Sequence, residues 1–496
     1  MRSVESLQSA RAFPRLSKQF DSAAIAYREV RAAHWDEVAA WAETKTGLGG
    51  TYHRRLEEVF AFFCPPGLRV LELGSGDGEL LASLQPSYGV GIDFAPEMIR
   101  RARARHPNLT FLEGDAHELE SNEEFDVIIL SDLINDLWDV QEVLSQVRRI
   151  CTPQTRIVIN FYSKLWEMPL SFMRRLGLAK PNLPQNWLTV EDVTGLLSLA
   201  DFEVVRHRED VLCPLWFPLI ANFANRYLVR FWPFRVLALT HVLVARPVST
   251  RAEMQTNQPM VSVIVAARNE AGNIESIFAR TPYLGGGTEL IFVEGRSSDN
   301  TYEEIQQAIA AHPERDSKLF RQSGQGKADA VRLGFSKASG NILAILDADL
   351  TTPPEDLPHF VEALTSGKGD FANGCRLIYP MEKKAMQFIN LVGNKFFSLM
   401  FTWLLGQPIK DTLCGTKVIW KSDYELLAAN RSYFGEFDPF GDFDLLFGAA
   451  KLNLKIVDIP VRYRNRTYGT TNIRRWKHSW LLLRMMAFAA RRLKFV

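Results

Sequence analysis

Residues Val70–Glu79 read VLELGSGDGE. A short apolar strand runs into a loop with glycines at Gly74, Gly76 and Gly78, and a helix pattern follows. Glycine in such a loop lets the backbone turn sharply and lets a ligand approach to contact distance. The spacing is Gly74-x-Gly76-x-Gly78, which departs from the G-x-G-x-x-G of dinucleotide binders and weakens a dehydrogenase reading. Working outward, Val70–Leu73, Val90–Asp93, Val127–Ser131 and Ile157–Phe161 read as buried strands with helical stretches between them. That alternation predicts a parallel sheet in an α/β domain. Val236–Ala245 is predicted to be its last strand. Ligands of open parallel sheets sit at the carboxyl ends of strands. Asp93 ends the second strand, Asp115 and Ala116 follow the third, and Ser131 and Asp132 end the fourth.

With these motifs in order, Phe20–Pro247 resembles the class I S-adenosylmethionine-dependent methyltransferases, which implies a Rossmann-like sheet and that cofactor. The resemblance implies that Glu72, Gly74 and Gly76 surround the methionine part and that Asp93 holds the ribose. It places Phe94 and Met98 beside the adenine, Asp115 at its amino group with Ala116 next to it, and Ser131 at the strand end. Tyr27, in FDSAAIAY, resembles the residue of a helix that covers the cofactor. The methyl acceptor is not legible. Asp132, Asn135, Asp136 and His53 are candidates for an acceptor site, and each is equally a surface or capping residue. The segment Asn186–Thr189 and the aromatic stretch Pro214–Trp232 suit either an acceptor pocket or the core.

A second alternating system begins with Val261–Ala267 and continues through Glu289–Glu294 and Ile342–Leu346. Its third strand runs into AILDADLTTPPED, Ala344–Asp356. Asp347 and Asp349 stand at alternate positions, so period-two geometry predicts that both point to one side. Two carboxylates held together repel unless a cation lies near them. A hard divalent ion, Mg²⁺ or Mn²⁺, bridging to a diphosphate suits that pair. Asn269 and Glu270 follow the first strand; Glu294 ends the second, with Asp299 beyond. Lys327, flanked by glycine in GQGKADAVRLGF, enters a helix and is able to place positive charge on a phosphate.

Val261–Arg475 resembles the family-two glycosyltransferases, and within them the dolichyl- or polyprenyl-phosphate sugar synthases. The resemblance implies a GT-A fold, a nucleotide-sugar donor and inversion at the anomeric carbon. It implies that Ala267, Asn269 and Glu270 line the nucleobase pocket with Glu294 and Asp299 nearby. Asp347 and Asp349 would hold the metal and diphosphate, and Arg464, Arg466 and Lys477 would form the basic end. A lipid-phosphate acceptor is already anionic and needs no base. A sugar hydroxyl needs a carboxylate to take its proton, and Asp442 and Asp444 in FGDFDLL are the candidates. They alternate like strand positions and also suit a helix start. Three departures stand out: Glu294-Gly295 where many members carry paired aspartates, Thr351 where the synthases often carry glutamine, and Ile473–Trp476 (IRRW) without the preceding glutamine of processive polymerases.

The chain has 496 residues, enough for two or three domains. The motifs divide it into 1–247, a polar linker 248–259, and 260–496. The formal charge is +1, from 58 basic and 57 acidic residues, which argues against a nucleic-acid partner. Five dispersed cysteines predict free thiols in a reducing, cytoplasmic setting. The N-terminus reads as carrying no signal peptide. Pro214–Trp232 and Phe396–Gly406, the latter too short to span a membrane, read as core helices or as interfacial elements on a bilayer, and Ser479–Val496 mixes apolar and basic residues, so a peripheral position on the cytoplasmic face is the expectation. The bifunctional reading therefore has two transfers. The competing one is a glycosyltransferase acting on a glycan or small-molecule hydroxyl, with a silent S-adenosylmethionine-binding regulatory domain. Oligomeric state is not legible.

Overall fold

The computed structural model describes residues 22–44, 49–119, 121–175, 183–214, 218–248, 258–379, 388–430, 442–466, 468 and 475–496. The chain divides into two compact units, Met1–Val248 and Ser249–Phe495.

The first unit is built on a seven-stranded sheet: β1 (Arg69–Leu73), β2 (Tyr88–Asp93), β3 (Thr110–Glu113), β4 (Val127–Ser131), β5 (Arg156–Tyr162), β6 (Phe202–Asp210) and β7 (Thr240–Pro247). Their order is β3-β2-β1-β4-β5-β7-β6, with β7 antiparallel to both neighbours and the other pairs parallel. The central strands are near-continuous apolar runs because both faces are covered; Val127–Leu130 and Ile157–Phe161 are all buried. Helices 79–83, 96–105, 140–149 and 190–199 connect them. Two begin with side-chain caps: Asp139 accepts from the Glu142 N–H, and Thr189 forms a capping box with Asp192. The strand order reverses between β1 and β4, which opens a crevice at their carboxyl ends. One expectation is corrected. The last strand starts at Thr240 rather than Val236, because Pro233 leads into a 3₁₀ turn over Phe234–Leu237 that leaves Val236 and Leu237 exposed.

The second unit repeats the logic with β8 (Val261–Ala267), β9 (Thr288–Glu294), β10 (Asp316–Arg321), β11 (Ile342–Asp347), β12 (Phe371–Cys375), β13 (Lys417–Trp420) and β14 (Ile456–Pro460). The order is β10-β9-β8-β11-β13-β12-β14. β10, β9, β8 and β11 are parallel, while β13 runs antiparallel to β11 and β12. The reversal point lies between β8 and β11. Phe292, Phe360 and Phe278 are fully buried around this sheet; burying such a side chain contributes about 1.5–3 kcal/mol. The apolar stretch around Phe396–Gly406 belongs to helix Phe388–Leu405, with Phe397, Phe401 and Leu404 inward and Leu399 outward. Among the described residues no helix is long and apolar enough to cross a membrane.

One further expectation is corrected here. β11 ends at Asp347, and Ala348–Asp349 form a turn, so the alternation of a strand does not govern Asp349. Of the two readings left open for Asp442 and Asp444, the helix start holds: Asp442 opens helix Asp442–Lys451.

Candidate active sites

In the first unit the glycine loop follows β1. Gly74 has φ +70°, a conformation that favours glycine, and a Cβ there would lie 2.8 Å from Leu133 Cδ1 and push that side chain aside. Asp93, at the end of β2, organises the loop. Its Oδ2 accepts from the Gly76 N–H at 2.9 Å and its Oδ1 from the Ala95 N–H at 2.9 Å. Burial raises the Asp93 carboxyl against those hydrogen bonds. Glu72 on β1 is only 2% exposed, and its Oε2 has no hydrogen-bond partner. Burial pushes its carboxyl well above the usual range.

Beside this loop lies a cavity of about 350 Å³. Tyr27, Gly74, Asp93, Phe94, Asp115 and Ala116, all anticipated from the sequence, line it. Glu72, Gly76, Met98 and Ser131 do not line it, although Gly76 is tied to Asp93. Met98 sits half-buried on helix Pro96–Arg105, and Ser131 ends β4. Asp115 is already engaged: its Oδ1 lies 2.7 Å from His117 Nδ1, and Arg28 is 3.4 Å from its Oδ2. Burial works against its charge, but His117 and Arg28 outweigh it and lower the carboxyl. Tyr27 is fixed by Arg31 stacked 3.6 Å over its ring and by Trp138 at 5.0 Å, edge to face.

The four acceptor candidates separate clearly. Asn135 is fully buried and structural, donating to the Asn186 carbonyl at 2.7 Å and accepting from the Tyr162 N–H. Asp136 receives Trp35 Nε1 at 2.7 Å and Arg31 Nε at 2.9 Å. His53 is exposed. Asp132, at φ +52° just past β4, accepts from the buried Tyr52 hydroxyl at 2.8 Å and from Asn160 Nδ2 at 2.6 Å. Burial, then the Asp132 charge, raises the hydroxyls of Tyr52 and Tyr162 well above the ordinary range.

In the second unit the strand ends around the reversal point carry the charges. Ala267 ends β8, buried, its carbonyl accepting from the Gly295 N–H at 2.9 Å. Asn269, at φ +58°, accepts from the Ser298 N–H at 2.7 Å. Glu294 ends β9 and accepts from the Ser297 N–H at 2.5 Å. Asp299 holds Thr301 and receives the Tyr468 hydroxyl at 3.4 Å. Lys327 Nζ, at the first turn of helix Lys327–Lys337, donates to Asp347 Oδ1 at 2.6 Å. Burial opposes the charge on Asp347, but Lys327, then Arg376 and Lys417, hold the carboxyl below its usual value. Asp349 accepts from the Thr351 N–H and hydroxyl at 3.1 and 2.8 Å and from Arg466 Nη2 at 2.6 Å. Thr351 thus orients Asp349. Arg466 also reaches Glu270 Oε1 at 3.1 Å. Burial pushes Glu270 up to about 7, despite Arg466 and Asn273.

Not every anticipated residue joins this cluster. The Arg464 guanidinium is exposed, while its N–H donates to the Thr351 carbonyl at 2.9 Å. Asp444 is buried and lies 3.5 Å from Arg332 Nη2. Asp442 and Lys477 are placed on helices Asp442–Lys451 and Arg475–Ala489, but their side chains lie outside the described residues. Among the described residues no group of three or more His, Cys, Asp or Glu side chains is gathered as for a metal.

Two family models match the chain: a methyltransferase domain over residues 65–193 and glycosyl transferase family 2 over residues 262–423. The chain carries a methyltransferase domain and a family 2 glycosyltransferase domain. The glycosyltransferase domain is of GT-A type. It is 36% identical over 219 residues to a dolichol-phosphate mannosyltransferase of Pyrococcus furiosus, covering 43% of this chain and 59% of that protein. It is 27% identical over 229 residues to an undecaprenyl-phosphate 4-deoxy-4-formamido-L-arabinose transferase of Proteus mirabilis, covering 45% of this chain and 64% of that one. The chain thus spans less than two thirds of either relative. A methyltransferase from Haloferax volcanii, solved with its Trm112 activator, matches at 19% identity and a TM-score of 0.33, covering 43% of this chain and 97% of that chain.

Sequence reasoning missed several residues of both domains. Arg28, Arg31, His117 and Trp138 surround the methyltransferase cavity but stand singly in sequence, outside any motif. In the glycosyltransferase domain Arg376 and Lys417 act on Asp347 from β-strand neighbourhoods far along the chain. Lys417 closes the stretch DTLCGTK (Asp411–Lys417), a run of charged and small residues that was the one legible signal; it is buried, and its Nζ donates to Asn373 Oδ1 at 3.0 Å and to the Cys414 carbonyl at 2.6 Å.

Proposed function

We propose that the chain is a bifunctional transferase. One unit performs S-adenosylmethionine-dependent methyl transfer. The other transfers a sugar, with inversion, from a nucleotide sugar to a polyprenyl phosphate or related lipid-linked acceptor. The observation that carries the second activity is the Lys327–Asp347 pair beside Asp349, Arg466 and Glu270 at the carboxyl ends of β8 and β11. The names of the two glycosyltransferase relatives support the acceptor class.

In this reading Ala267, Asn269 and Glu270 receive the nucleobase, with Glu294 and Asp299 fixing the loops around them. Lys327 neutralises the diphosphate as it departs. The donor set at Asp347 and Asp349, hard carboxylate oxygens with few other protein ligands, fits Mg²⁺ or Mn²⁺, which keeps waters and substrate phosphates in its shell. Such an ion would supply further charge stabilisation on the diphosphate. The acceptor phosphate oxygen bonds to the anomeric carbon as the bond to the donor diphosphate breaks, and a nucleoside diphosphate leaves. Arg464 and Lys477 are the basic residues for that acceptor phosphate. The buried Asp444 lies 3.5 Å from Arg332 Nη2, and a phosphate acceptor, already anionic, needs no base. The exposed Trp480 and Leu483 on helix Arg475–Ala489 suit a peripheral place on a membrane surface.

For the methyltransferase unit, the cavity beside the glycine loop, lined by Tyr27, Gly74, Asp93, Phe94, Asp115 and Ala116, fits S-adenosylmethionine. That cofactor supplies an electrophilic methyl group. Asp93 would hold the ribose, Phe94 and Met98 the adenine faces, Asp115 and Ala116 its edge, and Tyr27 the covering side. Asp132, held by Tyr52 and Asn160, would orient the acceptor.

The test is release of nucleoside diphosphate from a panel of nucleotide sugars with Mg²⁺ or Mn²⁺, with and without polyprenyl phosphate, Asp349→Ala serving as control. Release that depends on one donor, the metal and the lipid supports the reading. Release independent of lipid overturns the acceptor, and none with any donor overturns the activity. Calorimetric titration with S-adenosylmethionine tests the first unit; absence of binding removes its activity.

A further inference from the structure

Helix Pro218–Arg226 of the methyltransferase unit turns its small side inward. Ala221, Ala224 and Asn225 are buried, while Leu219 is 89% exposed and Ile220 and Phe223 also face outward. From Phe231 to Leu237 every residue is exposed, Trp232 at 76%. A second segment adjoins, since Trp166 Nε1 donates to the Leu237 carbonyl at 3.0 Å. It exposes Leu165, Met168 and Phe172 on 164–175. Scattered exposed apolar residues are ordinary on a protein surface, but a contiguous platform marks an interaction site.

The platform is held in this orientation from below. Asn225 accepts from the Leu212 and Cys213 N–H groups at 2.8 and 2.7 Å. Arg230 donates to the fully buried Asp210 at 2.6 Å, and Arg55 and Arg208 bind the same carboxylate. The outward face is therefore a fixed product of the fold.

Its charge identifies the occupant. Residues 218–237 contain no acidic residue. Arg226 and Arg235 are exposed among the apolar side chains, and Lys164 and Arg175 are exposed on the adjoining segment, against a single half-buried Glu167. Outward aliphatic and aromatic side chains rimmed by cations complement an acyl-chain boundary under anionic headgroups. Trp232 and Tyr227 carry the apolar body and polar tip that suit such a boundary.

We propose that this face is a bilayer-docking surface of the methyltransferase unit, fitted to a membrane with anionic headgroups. It grows from the acceptor end of the sheet: β5 ends at Tyr162, Ser163 leads into Lys164–Trp166, and Asp132 stands at the end of the neighbouring β4. The methyl acceptor would then be lipid-borne, a consequence that rests on the methyl-transfer reading, whereas the docking face does not.

The test is co-sedimentation of the full chain at low salt with vesicles of phosphatidylcholine alone or mixed with phosphatidylglycerol. The variant Phe172→Ser/Phe223→Ser/Trp232→Ser alters exposed positions, and S-adenosylmethionine titration with the melting temperature reports its folding. Expected is preferential binding of the wild type to the mixed vesicles and a loss of roughly tenfold or more in the variant. Arg226→Gln/Arg235→Gln, which keeps the apolar surface, weakens binding to the mixed vesicles alone. Equal binding by the triple variant and the wild type overturns the inference and assigns any membrane affinity elsewhere, leaving the lipid-phosphate reading intact. A wild-type dimer that becomes monomeric in the triple variant, with no vesicle binding by either, overturns it in favour of a contact between two copies of the chain.

Discussion

Lys327 Nζ lies 2.6 Å from Asp347 Oδ1, joining the first turn of a helix to the last residue of the strand that follows it. The pair sets a positive charge and a carboxylate where a diphosphate would lie. Removing the charge with Lys327→Met is expected to lower nucleoside diphosphate release on the order of 10²-fold. Lys327→Arg is expected to recover only part of it, because a planar fork does not replace a compact ammonium. Steady-state rates at saturating donor check both.

Asp93 accepts from two backbone N–H groups that shape the glycine loop. Asp93→Asn keeps the shape of the side chain but weakens these charge-assisted contacts, each worth roughly 1.5–3 kcal/mol. S-adenosylmethionine affinity, measured by calorimetry, is expected to fall about tenfold or more. Nucleoside diphosphate release should stay at the wild-type rate, since the other unit is untouched.

Arg376 and Asp411 form a two-point ion pair, Nε–Oδ2 2.7 Å and Nη2–Oδ1 2.8 Å, with Asn394 and the Leu413 N–H on the same carboxylate. Burial opposes its charge, but Arg376 holds Asp411 down at about 2. Asp411→Ala leaves the guanidinium buried without its counter-charge and is expected to destabilise the glycosyltransferase unit by about 3–5 kcal/mol. Arg376→Met/Asp411→Leu should recover much of that loss. Denaturant unfolding of the three proteins checks the order.

His241 on β7 faces His207, with ring nitrogens 3.2 Å apart, and packs on Phe161. Burial, then His207, lowers its imidazole from 6.5 to about 4, against Glu209 and Glu191. The unfolded chain thus takes up this proton first as pH falls. The contribution to stability is complete above pH 6.5 and disappears as pH drops toward 4, at most roughly 3 kcal/mol. His241→Gln should flatten that slope in urea unfolding between pH 7 and pH 4.5. Parallel curves for the two proteins would show that another group titrates.

The central strands were legible to within a residue or two because burial on both faces writes them as unbroken apolar runs, as in Val127–Ser131 and Val261–Ala267. The glycine loop was legible from its three glycines directly after a strand, while Glu72, Gly76, Met98 and Ser131, expected with it, do not line the cavity. Asp349 was read as a strand position because a turn residue after a strand looks like a continuation of it. The bridge from Arg466 to Glu270 crosses 196 positions, and Tyr52 reaches Asp132 across 80. No periodicity records such pairings, which only the folded sheet creates. The platform on 218–237 was readable as apolar, but which way its side chains face depends on Asn225 and Arg230 meeting partners elsewhere.

Gly415 sits against the Asp347–Lys327 pair so closely that a Cβ in its place would overlap both the carboxylate and the ammonium. Its backbone is not in the left-handed region, so a side chain there is opposed by space alone, and the ends of the Asp347 and Lys327 side chains would have to move to admit one. The position therefore acts as a sentinel. Another chain with this sheet that carries even an alanine there has to displace one of those side-chain ends, so one letter bears on how tightly the acid–lysine contact closes.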